Sequence, residues 1–171
     1  ARLPYLSAVC NETLRIYPVA IMTFSRRAEV DLTLMDYAIP QGTQLMGCIY
    51  LLHQNPDLYP EPEKFKPERF LERQFAPYEY MPFGGGERRC IGDALALFEL
   101  KLALATLLTH YQFALNGDRP EIPQRRGITL APKGNVPLRL QGKSVFAAPD
   151  LLSPTGDQSW SKGRLAIGLN H

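Results

Sequence analysis

Apolar residues near the start of the chain recur at every fourth position. This spacing places them on one face of a helix, and it predicts a helix over residues 3–17. Pro4 suits the first turn of that helix, and Pro18 halts it. The positions predicted to face a core are Leu6, Cys10 and Leu14.

Between residues 21 and 50 the pattern changes to alternation. Val30, Leu32 and Leu34 alternate with polar neighbours, as in a strand with one covered face. Residues 39–42 follow, with proline second and glycine fourth, which is typical of a tight turn. Residues 43–49 continue as an extended and mostly apolar run. This part of the chain is therefore predicted to form short strands and hairpins.

Residues 54–82 carry six of the 15 prolines, so neither a helix nor a strand can run far there. The segment is also rich in aromatic side chains, which are too many for a disordered linker. We therefore predict an ordered coil that packs on the rest of the domain. Its aromatic residues are Tyr59, Phe65, Phe70, Phe75, Tyr78 and Tyr80.

The last patterned segments are a long helix and a hairpin. Alanine, leucine, glutamate and lysine dominate Gly92 to Leu115, and apolar residues occupy nearly every face, so the pattern predicts a largely buried helix. The runs 128–130 and 136–140 flank a Lys-Gly-Asn turn and predict a closing hairpin. From residue 143 the pattern weakens, and we expect a loosely structured tail over 143–171.

Composition narrows the class of protein. A chain of 171 residues is long enough for one domain with a core, and a net charge of +2 gives no sign of nucleic-acid binding. No apolar run is long enough to span a membrane, so membrane association is not visible in this sequence. The chain begins with Ala1 inside a helical pattern, and we expect it to be an internal piece of a longer protein. Three widely separated cysteines do not suggest a disulfide framework.

The strongest chemical signal is the run Phe-Gly-Gly-Gly-Glu-Arg-Arg-Cys-Ile-Gly at residues 83–92. Its glycines allow the backbone to approach a flat ligand closely. Cys90 stands where the loop enters the helix, and the helix N-terminus together with Arg88 and Arg89 favours a thiolate there. By itself, such a cysteine could be a nucleophile, a redox sensor or a metal ligand. A phosphate-binding loop is disfavoured, since no Lys-Ser/Thr pair follows the glycines.

These residues resemble the haem loop of the cytochromes P450, which reads Phe-x-x-Gly-x-Arg-x-Cys-x-Gly. Two further motifs of that family occur in the expected order: Glu-x-x-Arg at residues 12–15 and Pro-Glu-Arg-Phe at residues 67–70. The resemblance covers roughly residues 1–142 and implies the C-terminal haem-binding portion of the domain. It implies a mainly α fold with small β-sheets, containing the K helix, β-hairpins, a coil meander, the haem loop and the L helix. The matching positions of the loop are Phe83, Gly86, Arg88, Cys90 and Gly92.

The resemblance assigns roles to particular residues. Glu12, Arg15 and Arg69 would form a buried charge network that holds the coil. Taken alone, Glu12 and Arg15 are an ordinary helix pair three residues apart. Arg88 would bind a haem propionate, as would Arg26, with its neighbour Arg27 as the alternative. The residues that would line the substrate pocket, or else belong to ordinary core strands, are Val19, Ala20, Ile21, Ile128, Thr129 and Leu130.

The activity implied by the resemblance is that of a haem-thiolate monooxygenase. Haem b (iron protoporphyrin IX) would be bound through Cys90, and the complete protein would use O2 to hydroxylate an apolar substrate. A ferredoxin or flavin reductase would deliver electrons on the proximal face. Cations that could form its docking surface, or simply be solvated, are Lys64, Lys66, Arg73, Arg89, Arg125 and Arg126. The sequence around the motifs most resembles soluble bacterial members, cyanobacterial ones among them, which predicts a cytoplasmic protein.

Two other functions are compatible with parts of the pattern. One is a truncated, non-catalytic haem-binding or interaction module derived from such an enzyme, because the oxygen-activating helix of the family would lie before Ala1. The other is a thiol enzyme with Cys90 as nucleophile. That enzyme needs a histidine base, yet nothing in the pattern brings His53, His110 or His171 to the cysteine.

Overall fold

The computed structural model describes residues 3–117, 122–134 and 136–144. Within these ranges four α-helices and a 3-10 turn at Gly86–Arg88 occur. The helices are α1 (Pro4–Ile16), α2 (Ile49–His53), α3 (Arg69–Glu72) and α4 (Asp93–His110). The strands are β1 (Arg26–Arg27), β2 (Leu32–Leu34), β3 (Tyr37–Ile39), β4 (Gln44–Leu45), β5 (Tyr111–Leu115), β6 (Pro123–Arg126), β7 (Thr129–Pro132) and β8 (Leu138–Lys143).

The strands of the described ranges form four antiparallel pairs: β1 with β4, β2 with β3, β5 with β8, and β6 with β7. Helices and small sheets therefore share the described chain, as the fold class predicted. Most of the predicted tail, from residue 145 onward, lies outside the described residues.

Helix α1 confirms the first prediction to within a residue at each end. Pro4 lies in its first turn, where a missing amide hydrogen costs nothing. At its other end the Tyr17 amide donates to the Thr13 carbonyl at 2.8 Å, and Pro18 then stops the helix. Cys10 is buried as expected, and burial raises the pKa of its thiol.

Two predicted segments have different boundaries. The run 43–49 was predicted to be extended throughout, but only Gln44–Leu45 is a strand, and α2 begins at Ile49. The long helix ends at His110, not at Leu115, because Tyr111–Leu115 forms β5. Tyr111, Phe113 and Leu115 alternate with smaller or polar residues, so their period fits a strand.

The predicted closing hairpin is wrong in its pairing. Residues 128–130 belong to a hairpin formed by β6 and β7, with Arg126 opposite Thr129. Residues 136–140 contribute instead to β8, which pairs with β5 over Leu115 opposite Leu138 and onward. A strand that precedes residue 128 and one that follows helix α4 were both missed.

Helix α4 was predicted to be largely buried, and this is wrong for the described chain. None of its described residues is buried, because only α1 and β5 pack against it to any extent. The large apolar side chains that it leaves exposed are Leu95, Phe98, Leu102, Leu107 and Leu108.

The best-buried side chains lie instead between α1 and the coil over 54–82. Four of them, Glu12, Arg15, His53 and Tyr59, have no exposed surface. Two of these form a buried ion pair and one is a histidine, so this core depends on complete polar pairing. No described buried side-chain nitrogen or oxygen lacks a hydrogen-bond partner.

Candidate functional site

The core of the site is a three-residue charge network. Arg15 donates to both carboxylate oxygens of Glu12, from Nε at 2.8 Å and from a terminal nitrogen at 2.9 Å. This is the two-pronged geometry in which arginine and carboxylate bind best. Arg69 approaches from α3 and donates its Nε to Glu12 Oε1 at 3.1 Å. The structure thus brings together the three residues of the predicted network.

This network also fastens the coil to α1. Glu12 Oε1 accepts the Lys66 amide at 2.8 Å. Arg15 donates to the carbonyls of His53 at 2.6 Å and Pro62 at 2.7 Å, and Arg69 donates to the Pro60 carbonyl at 3.3 Å. Backbone groups that no helix or strand satisfies are therefore paired by buried charges, which explains how a proline-rich segment is ordered.

Aromatic side chains complete the coil, as the sequence predicted. Tyr59 is buried, stacks on Phe75 at 4.8 Å between ring centroids, and donates its hydroxyl to the Glu79 carbonyl at 2.6 Å. The Arg15 guanidinium lies 5.0 Å from the Tyr59 ring centroid, a favourable cation–π distance. Burial raises the pKa of Tyr59, so it remains a neutral hydrogen-bond donor.

His53 links the network to the segment before the glycine loop. Its Nδ1 lies 3.2 Å from the Arg15 carbonyl, and its Nε2 accepts the Met81 amide hydrogen at 3.0 Å. Burial lowers the pKa of His53 from 6.5 to about 4, and the Arg15 charge acts in the same direction. The imidazole is therefore neutral at physiological pH.

We expect this histidine to make folding stability depend on pH. The unfolded chain binds a proton below pH 6.5, whereas the folded protein does so only near pH 4. Stability should therefore be full above pH 6.5 and fall as the pH drops toward 4, by on the order of 3 kcal/mol in all. Urea unfolding of the full-length gene product at several pH values measures this change in the free energy of unfolding. The carboxylates titrate in the same range, so the relevant quantity is the difference between wild type and His53→Gln. A pH-independent difference would contradict the assignment.

The glycine loop curls back on itself before α4. The Cys90 amide donates to the Phe83 carbonyl at 2.9 Å, which closes the loop. Gly84 and Gly86 have φ values of +74° and +64°, a region that side chains rarely tolerate. A Cβ on Gly85 would lie 2.9 Å from the end of the Met81 side chain, so a larger residue there would require Met81 to move. The Cys90 thiol at the end of the loop is free and exposed.

Comparison with known proteins decides the family. The sequence model described as "Cytochrome P450" matches residues 1–138. The chain belongs to the cytochrome P450 family.

Individual relatives agree with that assignment. The chain is 41% identical over 134 residues to the probable cytochrome P450 4s3 of Drosophila melanogaster, covering 77% of this chain and 27% of the fly protein. It is 43% identical over 116 residues to cytochrome P450 3A29 of Sus scrofa, covering 66% and 23% respectively. The chain thus spans about a quarter of the length of these curated relatives.

A solved cyanobacterial cytochrome P450 with retinoic acid bound is also similar. The two structures superpose with a TM-score of 0.75 at 32% sequence identity, over 81% of this chain and 32% of the other. The predicted family is confirmed, and a cyanobacterial member is among the similar structures. No helix in the described part of this cytochrome P450 is long and apolar enough to cross a membrane.

The two arginines beside the cysteine differ in their surroundings. Arg89 pairs with Asp93 at 2.6 Å, and this hydrogen bond lowers the pKa of the Asp93 carboxyl. Arg88 is exposed, and within the described ranges it has no ion-pair partner. Arg26 and Arg27, in β1, are likewise exposed and unpaired by any described acidic residue. Arg88, Arg26 and Arg27 are therefore free to meet an external anion.

The two segments predicted to line a substrate pocket lie side by side. Ala20 and Thr129 form an isolated antiparallel bridge, and the Leu130 amide donates to the Val19 carbonyl at 2.8 Å. Ile128, beside this bridge, is 74% exposed. The structure therefore brings together segments more than 100 residues apart in sequence, although their role in a pocket stays a prediction.

The predicted docking cations are mostly engaged within the chain. Lys64 and Lys66 both pair with Glu61, Arg73 pairs with Glu79, and Arg89 pairs with Asp93. Arg125 and Arg126 lie in β6 and are exposed. The six residues therefore do not present six unpaired positive charges.

Sequence reasoning missed His53 as a site residue. Its contacts are to residues 38 and 28 positions away, and no local pattern indicates them. The same holds for Tyr80, whose hydroxyl donates to the Asn11 carbonyl at 3.0 Å. The only available signal was the unusual number of aromatic residues in the coil.

Proposed function

We propose that Cys90 supplies the thiolate ligand of a haem b iron, and that the full-length protein is a monooxygenase. It would use O2, and electrons from a ferredoxin or flavin reductase, to hydroxylate an apolar organic substrate. The observation that carries the proposal is an exposed, free thiol at the end of a glycine loop. Met81, which precedes this loop, is hydrogen-bonded through His53 to the buried charge network.

The residues around Cys90 fit a haem. The positive φ values at positions 84 and 86 favour glycine, and because glycine has no side chain the backbone there can approach a flat macrocycle closely. A thiolate-bound haem iron would supply O–O bond cleavage.

Two arginines and a phenylalanine would complete the binding of the group. Arg88 and Arg26 would bind its propionates, because both are exposed and neither is paired with a described acidic residue. Phe83, half-buried at the start of the loop, would limit hydrogen bonding to the sulfur and thereby tune the redox potential.

An apolar substrate is proposed from the bridged segments. Residues 19–21 and 128–130 contribute apolar or small side chains on two segments joined by an isolated antiparallel bridge, and Ile128 among them is exposed. Apolar surfaces of this kind bind by excluding water and do not select for charge.

The ferrous–CO difference spectrum of the full-length gene product tests this function. Thiolate ligation is expected to shift the Soret band strongly to the red. A protein that binds haem without the shifted band would rule out the thiolate role of Cys90. It would favour the alternative of a non-catalytic haem-binding or interaction module, which no described contact favours.

A further inference from the structure

The hydrogen bonds of His53 define which ring nitrogen carries the proton. The Met81 amide can only donate, so Nε2 must accept, and the Arg15 carbonyl can only accept, so Nδ1 must donate. A neutral ring with its proton on Nδ1 satisfies both partners. The ring is fully buried and stacks on Tyr80 at 5.5 Å between centroids. Its position and orientation are therefore constrained from several sides.

Met81, whose amide donates to His53 Nε2, stands at the entrance to the glycine loop. The Met81 carbonyl accepts the Gly84 amide at 3.0 Å, and the Phe83 carbonyl accepts the Cys90 amide at 2.9 Å. The Met81 side chain reaches to within 2.9 Å of where a Gly85 Cβ would stand. A displacement of Met81 would therefore move both the turn and the contact that closes the loop on Cys90.

The other contacts of His53 are made with Arg15 of the charge network. Arg15 donates to the His53 carbonyl at 2.6 Å while its own carbonyl meets the His53 ring. Two reciprocal contacts thus fix His53 to α1, and one contact extends from His53 to Met81. Among the described side chains, His53 alone joins a residue of the network to the backbone of residues 81–90 by hydrogen bonds on both sides.

We propose that His53 is a positioning residue for Cys90, which transmits the fixed geometry of the Glu12–Arg15–Arg69 network to the glycine loop through the Met81 amide. This inference rests on the proposed thiolate role of Cys90. Without the Nε2 acceptor the loop entrance would keep its backbone turn but lose the hydrogen bond that joins the Met81 amide to α1 through His53.

Two substitutions separate the two nitrogens of the ring. His53→Asn retains a donor near the position of Nδ1 but has no atom at the position of Nε2. His53→Gln carries an acceptor oxygen at the distance of Nε2 and can receive the Met81 amide hydrogen. Asparagine is also smaller than glutamine, so a residue that merely fills the core would lower the melting temperature in His53→Asn without a selective loss of protection at the Met81 amide.

The experiment follows the ferrous–CO band of the full-length protein over time. His53→Asn is expected to convert the red-shifted band to the unshifted one about tenfold faster than wild type, since a buried amide loses its partner. His53→Gln should restore most of the wild-type lifetime. The matched control is His110→Asn, because His110 is exposed at the end of α4 and its ring hydrogen-bonds to the Thr106 carbonyl of the same helix; it should leave the lifetime unchanged.

Hydrogen exchange of the Met81 amide provides the second measurement. It should be faster in His53→Asn and close to wild type in His53→Gln. Equal band lifetimes in all variants would overturn the inference. Equally shortened band lifetimes in His53→Asn and His53→Gln, together with equal falls in melting temperature, would also overturn it. If wild type shows no shifted band, the proposed function fails; the exchange rates then still decide whether His53 holds the loop.

Discussion

Cys90→Ser is expected to abolish the red-shifted ferrous–CO band completely while leaving the fold intact. A serine hydroxyl is not ionised at neutral pH and is a poor ligand for haem iron compared with a thiolate. The loop itself should survive, because its closing hydrogen bond uses the Cys90 backbone amide and not the sulfur. The exposed side chain also contributes little to the core. The loss should therefore be spectroscopic and not a loss of stability.

The matched control for this variant is Cys48→Ser. Cys48 is also a free cysteine, partly exposed, and its sulfur lies 3.7 Å from the Ile21 carbonyl. This variant should retain the red-shifted band and a similar melting temperature. A band that persists in Cys90→Ser, or disappears equally in Cys48→Ser, would contradict the assignment of the ligand.

Glu12→Gln is expected to destabilise the protein by about 3–5 kcal/mol, because it leaves buried guanidinium charge without compensation. Glu12 Oε1 accepts three hydrogen bonds, from Arg15, Arg69 and the Lys66 amide, while Oε2 accepts the Arg15 Nε. A glutamine that keeps its oxygen at Oε1 places an amino group against that Nε. Two donors then face each other where water cannot enter.

Urea unfolding of the full-length protein measures this loss. The control is Glu61→Gln, since Glu61 also pairs with two cations, Lys64 and Lys66, but is about half exposed. Solvent screening limits its expected effect to at most about 1 kcal/mol. Similar losses in the two variants would show that the buried network is no more important than a surface ion pair.

The parts of the fold that could be predicted are those determined by residues that are close together in the sequence. Helix α1 was found because a proline stands at each end of a four-residue repeat, and the coil because its prolines and aromatics exclude regular structure. The members of the charge network came from the motif resemblance. Spacing alone could not have identified Arg69, which lies 57 residues from its partner Glu12.

The parts that failed depend on partners distant in sequence. The pairing of β5 with β8 brings Tyr111 to Lys143, and no local feature of either strand specifies it. The helix was extended past His110 because the alanine- and leucine-rich composition outweighed the alternation that follows. His53 was considered as a histidine base for Cys90, whereas the structure hydrogen-bonds its ring to backbone groups of distant residues that the sequence does not reveal.

The buried network also restricts how this sequence can change over generations. Replacing Glu12, Arg15 and Arg69 together by apolar residues of matching volume need not weaken a fold. A first step at Glu12, however, leaves two buried guanidinium groups without an acid, and its cost is a large part of the roughly 5–15 kcal/mol that stabilises a typical protein. A series of single substitutions that begins at Glu12 thus passes through a poorly folded intermediate. The trio would persist even in a lineage that had lost its chemistry, so its presence records descent more directly than it records activity.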